Sequence, residues 1–592
     1  MKSSTGCAVL GLQLDLVGDP GVFAVSFAID DIEPGMAEVT TTLTATRAAA
    51  PPAITLRLSG SGAGIRHSWR IDKSGSTGVP PDWSGDQLTA RAAANAPLLV
   101  LHGSDDRNRL TVALADALHG CRVTGGIREE DCRLIIGVEP FAPGRPDAAV
   151  FTIRMRLDAR AIRYDAALAA IGAWWEAQPG CTPLVVPAAG LEPMYSTWYS
   201  FHQAVEPAAV LAECRLARAL GCTAVIVDDG WQTLDGARGY GHAGDWRPER
   251  MGDMAAFVRD VHAAGMKLLL WYAVALVGYQ TEAFVRFERK VLRRDDRLSC
   301  AVLDPRHPDV REFIVDLYDR HLAAWDLDGF KLDFVDCFQH VEGMPTTVAD
   351  GRDTGDIDEA VDRLMKAIVV RLQARKPDIL IEFRQSYVGP RMRSYGNLFR
   401  AGDCPYDALA NRKSTIALRL LTSSATAIHA DMLMWHPQDT PAACAAQLQA
   451  VLFAVPQVSV LIATLPETQR ALLRFWLAWW QEHRACLLDG TLTADGPEQG
   501  YPLVSAATTE ERITALYADR VVRLETNEPS LWLVNATARG DVVVECADSL
   551  GERLVTVRDA SGAVVATGSA TFAAGLHRLT VPAGGLIHLA TA

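Results

Sequence analysis

The sequence predicts a multidomain α/β and β fold: a central (β/α)8 TIM barrel with an N-terminal β-sandwich and a small C-terminal β-sandwich. Three observations predict it. Between residues 194 and 488, eight short apolar segments alternate with longer amphipathic ones, the rhythm of a parallel sheet wrapped in helices. The stretches on either side lack that rhythm and read as short strands between turns. A chain of 592 residues also has room for about three domains at roughly 100–200 residues each.

Residues 1–165 are the expected N-terminal sandwich. FAVSFAI, AEVTTTLTATR, AITLRLSG, PLLVLHG, CRLIIGV and AVFTIRMRL are its strand-like segments. GSGAGIRH at Gly60–His67 has glycines but not the spacing of a nucleotide loop, and no helix pattern follows it, so it reads as a turn. Residues 166–193 form an expected helical linker. A helical pattern over Tyr164–Gln178 leads into a proline-punctuated stretch.

Residues 194–488 are the expected barrel. Its strands are read as YSTWYS, TAVIVDD, KLLLWY, GFKLDF, ILIEF, NLFRA, ATAIHA and VSVLI. AAVLAECRLARAL, VREFIVDLYDRHLAAW and DEAVDRLMKAIVVRL supply helices between them. Residues 489–592 return to strand character in ITALYAD, SLWLVNA, DVVVECA, RLVTVRD and GLIHLAT.

Composition narrows the function. The formal net charge of -14 argues against a nucleic-acid partner, which calls for a surplus of Lys and Arg. No apolar run is long enough for a membrane span. The twelve cysteines are scattered singly with no CxxC pair, which removes the usual zinc and redox spacings. The first residues, MKSSTGCAVLGLQLDL, read as a strand rather than a signal peptide. A cytoplasmic protein with free thiols is therefore expected. Self-association into a homo-oligomer is left open.

Reactive side chains of such barrels sit at the C-terminal ends of the strands. Here those ends carry acids and aromatics. Strand two ends in Asp228, Asp229 and Trp231, strand three in Trp271, and strand four in Lys331 and Asp333. Strand five ends in Glu382 and Arg384, strand six in Arg400 and Asp403, strand seven in His429 and Asp431. Carboxylates accept hydrogen bonds from sugar hydroxyls, and glycoside cleavage needs two carboxyls flanking the scissile bond. Lys331 and Asp333, two apart, share one face of a strand. The cation is expected to keep Asp333 ionised, whether as a structural or a catalytic pair.

VIVDDGWQ, GDW at Gly244–Trp246, GMKLLLW, KLD and FRAGD occur in this order. In this set the chain resembles glycoside hydrolase family 36, the melibiase-type α-galactosidases and their raffinose-synthase relatives. The resemblance implies a retaining α-glycosidase acting on a terminal α-linked hexose of an oligosaccharide or glycoside substrate. It implies Asp333 as nucleophile and Asp403 as acid/base. It further implies Asp228, Asp229, Trp231, Trp246, Trp271 and Lys331 around the sugar, with Arg384 and Arg400 beside them, and no metal or cofactor. A transglycosidase and a non-catalytic sugar-binding barrel are the alternatives.

Two segments depart from the family pattern. Tyr272, Ala273 and Val274 follow Trp271 where the family has Glu and Pro. Glu382 to Tyr387 replaces a segment with Cys and paired glycines. Arg384, Arg391 and Arg393 suit an anionic sugar; the plainer account is that they neutralise the site's own aspartates. Asp407 competes with Asp403 for the acid role. His429 is expected to be a hydrogen-bonded barrel residue rather than a metal ligand, and Asp304 to orient its own loop.

Overall fold

The structure is a computed structural model and describes residues 6–525 and 530–591. In the N-terminal region a six-stranded and a seven-stranded sheet face each other. Alternate residues of each point into one shared core, such as Leu56 and Leu58 from one sheet and Val39, Leu101 and Val112 from the other. All six strand-like segments read from the sequence are strands. The glycine-rich stretch ends one strand at Ser61 and turns back, with Ile65 N–H donating to the Gly62 carbonyl (3.2 Å), before the next strand begins at His67.

The barrel strands are β1 (Met194–Ser196), β2 (Ala224–Val227), β3 (Lys267–Ala273), β4 (Gly329–Asp333), β5 (Leu380–Arg384), β6 (Leu398–Arg400), β7 (Ala427–His429) and β8 (Gln457–Val458). They are parallel and run in chain order, with β8 beside β1. Bridges His429–Val455 and Leu433–Val458 close the ring between β7 and β8. Helices Pro207–Ala219, Pro308–Trp325 and Ile357–Arg375 lie where the sequence places them.

The interior of this barrel is layered. Met194, Ala224, Ile226, Leu269, Leu380, Leu398 and Ala427 form an apolar lower layer. Side chains on a strand alternate between faces, so the next inward residue lies two further on. Leu380 is thus followed by Glu382, Leu398 by Arg400, and Ala427 by His429. The upper layer is ionic because the sequence changes character along one face. Val186, Ala189 and Leu191 pack against the lower layer. The segment read as a linker therefore also closes the bottom of the barrel.

Leu276–Gly278, Val291–Asp295 and Cys300–Leu303 form a small antiparallel sheet after β3 that the sequence reading does not include. In the C-terminal region a seven-stranded and a three-stranded sheet share a core with Val522, Leu533, Val544 and Leu589. All twelve cysteines are free. Among the described residues no helix is long and apolar enough to cross a membrane.

Candidate active site

Asp333 ends β4 and is 7% exposed. Four donors hold its carboxylate. Oδ1 accepts from Arg384 Nε at 2.8 Å, from the Tyr387 hydroxyl at 2.6 Å and from the Phe334 N–H at 2.7 Å. Oδ2 accepts only from Trp271 Nε1, at 3.1 Å. Burial alone would raise this carboxyl. The charges of Arg384 and Lys331, with the Tyr387 and Trp271 bonds, outweigh it and hold the group well below the usual carboxylate range. Asp333 is an oriented, ionised carboxylate with one oxygen much less encumbered than the other.

Lys331 does not contact Asp333 directly. Its Nζ donates to Asp228 Oδ2 at 2.5 Å, and both side chains are buried. The expected neighbour of Asp333 is thus corrected: the contacting cation is Arg384, from the adjacent strand. Lys331 acts on Asp333 only through space.

Arg400, buried at the end of β6, joins Asp403 and Asp431. It donates to Asp403 Oδ1 at 2.7 Å and to Asp431 Oδ1. Asp431 Oδ2 also accepts from the Tyr199 hydroxyl (2.9 Å) and the Cys404 N–H (2.6 Å). Asp431 is enclosed, whereas the Asp403 side chain is 49% exposed. Partial burial works against ionisation of Asp403, but Arg400 and then Lys331 pull its pKa below the ordinary value. Asp407 is bound up otherwise. It is the N-cap of helix Ala408–Thr422 and accepts from the Ala410 N–H at 2.9 Å.

Asp229 leaves β2 with the opposite parity to Asp228. Its two oxygens accept from Gln232 (2.7 Å) and Gln203 (3.2 Å). Burial and the neighbouring Asp228 charge push it up to about 6. It lines a small polar cavity with Gln203, Gln232 and Gln280.

Two tryptophans of the sequence reading pack around Trp271. Trp231 is wholly buried. Its ring packs on Trp246, Tyr272 and Trp325, and its Nε1 donates to the Trp271 carbonyl at 2.9 Å. Trp246, 3% exposed, packs edge-on against Trp271. Trp231 reaches the outer helix through Trp325, and the rings of Trp231 and Trp246 both belong to the aromatic cluster around Trp271 and Tyr272. Trp271 itself bonds Asp333, and Tyr240 stacks on it at 6.2 Å.

No protein-family model matches the sequence, and no curated protein matches it. Solved structures do. A GH36 α-galactosidase, AgaA, from Geobacillus stearothermophilus in complex with raffinose aligns with a TM-score of 0.66 at 13% identity, over 98% of this chain and 84% of its own. AgaB of the same organism aligns at 0.65 and 13%, over 98% and 83%. The α-galactosidase of Lactobacillus brevis aligns at 0.63 and 13%, over 98% and 82%. The fold is that of the GH36 α-galactosidases. At this identity the likeness concerns architecture, and residue roles rest on the geometry above.

Of Arg384, Arg391 and Arg393, only Arg384 reaches the site. Arg391 pairs with Asp362 at 2.6 Å, and Arg393 with Glu176 at 2.8 Å. Neither neutralises a site aspartate nor faces a sugar. His429 Nε2 donates to the Gly190 carbonyl (2.9 Å), and its Nδ1 accepts from Gln457 Nε2 (3.1 Å), as a barrel residue. Asp304 pairs with Arg306 at 2.8 Å. Among the described residues, His119, Asp356 and Glu359 form a group whose atoms lie within 4.8 Å of one another. His119 there bridges Asp116 (2.8 Å) and Asp356 (3.5 Å), and burial is outweighed by Asp116, which raises its pKa. His119 is thus held between the carboxyl groups of Asp116 and Asp356.

Sequence reasoning named Tyr387 only as part of the departing segment Glu382 to Tyr387, without a role, and missed Tyr240 and Tyr199. Tyr387 was within reach, since it follows β5 by three residues. Tyr199 sits in the short helix Trp198–Phe201 after β1 and Tyr240 in the loop after β2, with no pattern to mark them.

Proposed function

We propose that this protein is a retaining α-glycosidase of α-galactosidase type, acting on a terminal α-linked hexose by double displacement. The observation that carries this reading is Asp333, held ionised and oriented at the C-terminal face of the barrel. Asp333 Oδ2 attacks the anomeric carbon as the bond to the leaving oxygen breaks, and Asp403 gives that oxygen its proton. Asp403 then takes a proton from water, whose oxygen attacks the same carbon and releases Asp333. Oδ2 is the attacking atom because Oδ1 already accepts three hydrogen bonds. Those donors stabilise the carboxylate as it leaves in the second step. Lys331, Asp228 and Asp229 bind hydroxyls; Arg400 fixes Asp403.

Retention is the test. Proton NMR of an aryl α-galactoside reaction should show the α-anomer of galactose first, before mutarotation. An initial β-anomer would overturn the mechanism.

The pH profile follows from the two acids. Asp333 must be ionised and Asp403 protonated. Both are lowered in the free protein, and kcat/KM reports the free form. For a disaccharide, kcat/KM should therefore be highest in acid and fall as pH rises through the depressed pKa of Asp403. A glycosyl fluoride, whose leaving group needs no proton, should lack that alkaline fall. Equal alkaline limbs for both substrates would remove Asp403 from the acid role.

A further inference from the structure

Asp336 lies one turn beyond Asp333 and has no part in the chemistry above. It sits in the 3-10 turn Val335–Cys337, which follows β4 almost directly. Phe334, between the strand and that turn, adopts φ 62°, in the left-handed region, and turns the chain sharply there. Two arginines flank the turn. Arg384 stands over the Phe334 ring, its Cζ 5.5 Å from the centroid. Arg91 reaches in from the N-terminal sandwich and donates from Nη2 to the Asp336 carbonyl at 2.8 Å.

Neither arginine satisfies the Asp336 side chain in full. Oδ1 is buried and accepts no hydrogen bond from any described residue. A carboxylate oxygen left bare away from water is costly and calls for a reason. Burial is the main cause of a raised pKa here; Arg384 opposes the rise, Asp333 adds to it and Arg91 opposes it. Arg384 is also only partly engaged. Its Nε bonds Asp333 at 2.8 Å and its Nη1 the Gln385 carbonyl at 2.9 Å, while Nη2 donates to no described residue.

Double displacement changes the charges around Arg384. The bond from Asp333 Oδ2 to the anomeric carbon forms as the bond to the leaving oxygen breaks with its electron pair, and that oxygen takes the Asp403 proton. Asp333 becomes a neutral ester, and Arg384 keeps its charge. The new charge on Asp403 is met by Arg400, 2.7 Å away. Arg384 has lost its counter-charge for as long as the ester lasts, and a buried cation without one is costly.

We infer that Asp336 is a positioning residue that acts through Arg384: it is the counter-ion to which that guanidinium turns when Asp333 is esterified, and it stabilises the glycosyl-enzyme. The inference rests on the glycosidase reading above.

The trapped intermediate tests it. 5-Fluoro-α-galactosyl fluoride should inactivate the wild type by esterifying Asp333, and activity should return slowly once excess reagent is removed. Fluoride leaves without a proton, so the first step does not depend on Asp403. The ratio of the inactivation to the reactivation rate constant reports the stability of the ester relative to the free protein. In Asp336→Asn the ester leaves Arg384 without a counter-charge, so inactivation should slow and reactivation should quicken. The ratio should fall about tenfold or more, the scale of one hydrogen bond to a charged group. Asp336→Glu restores the carboxylate and should bring the ratio back towards the wild-type value. If the Asn variant melts well below the wild type, Asp336→Ala carries the same test, with the same fall expected. An Asp336 that merely supports the fold would slow both steps together. That result, or a ratio within about twofold of wild type, would overturn the inference. A wild type that the reagent never labels would instead sink the glycosidase reading, and the inference with it.

Discussion

Asp333→Ala should abolish turnover of every α-glycoside, with a loss on the order of 10⁴-fold or more, as expected when a covalent nucleophile is removed. Among the described residues the side chain supplies the only carboxylate oriented by four donors at the barrel strand ends, and no neighbour can replace it. Asp228 is locked to Lys331, and Asp431 is enclosed behind Arg400. The change also strips Arg384 of its partner. Breaking a fully buried pair costs about 3–5 kcal/mol. Arg384 is 21% exposed on its side chain and rehydrates in part, so the loss of stability should be smaller and the fold retained in a thermal melt. A mechanism-based fluoro-sugar should label the wild type at Asp333. Mass spectrometry placing the label on another carboxylate would reassign the nucleophile.

The second large effect separates Asp403 from Asp407. A general acid matters most for a poor leaving group, and its loss costs about 10²–10⁴-fold. Asp403→Asn should lose activity in that range on a disaccharide. On an activated aryl glycoside the first step should be spared, giving a burst and then slow turnover, because the missing base traps the glycosyl-enzyme. Azide needs no base, so it should speed the second step and yield a glycosyl azide of retained configuration. Asp407→Asn should resemble wild type, because Asn caps a helix as well as Asp does. Asp407→Ala should cost about 1 kcal/mol of stability and show neither burst nor azide rescue. Rescue at Asp407 and none at Asp403 would move the acid/base role four residues along the chain.

These assignments combine two kinds of information. The order of the eight barrel strands and the two flanking sets of strands was legible in the sequence, because an apolar segment of four to seven residues needs a partner sheet to bury it. The charged rim was legible too. Side-chain parity on a strand is a local property, so Leu380-x-Glu382-x-Arg384 already states that one face changes from apolar to ionic. The small sheet after β3 was not legible, since its strands are short and two of them, Leu276–Gly278 and Cys300–Leu303, have few residues to show a period.

By itself, then, the sequence determined the barrel, the end of it that carries charge, and Asp333 as an inward acid. Only the tertiary structure decided which groups touch. Lys331 sits two residues from Asp333, roughly 6.6 Å along a strand, whereas adjacent strands lie about 4.8 Å apart. Arg384, 51 positions away in the chain, therefore reaches the carboxylate that its sequence neighbour does not. Tertiary packing also decided the surroundings of Trp231 and Trp246. They follow β2 in loops, where parity no longer applies; Trp231 packs on Trp325 of the outer helix, and Trp246 packs on Trp231, Trp271 and Tyr272. Asp403 and Asp407 look alike in the sequence; a helix begins at one of them and leaves the other half-exposed beside Arg400.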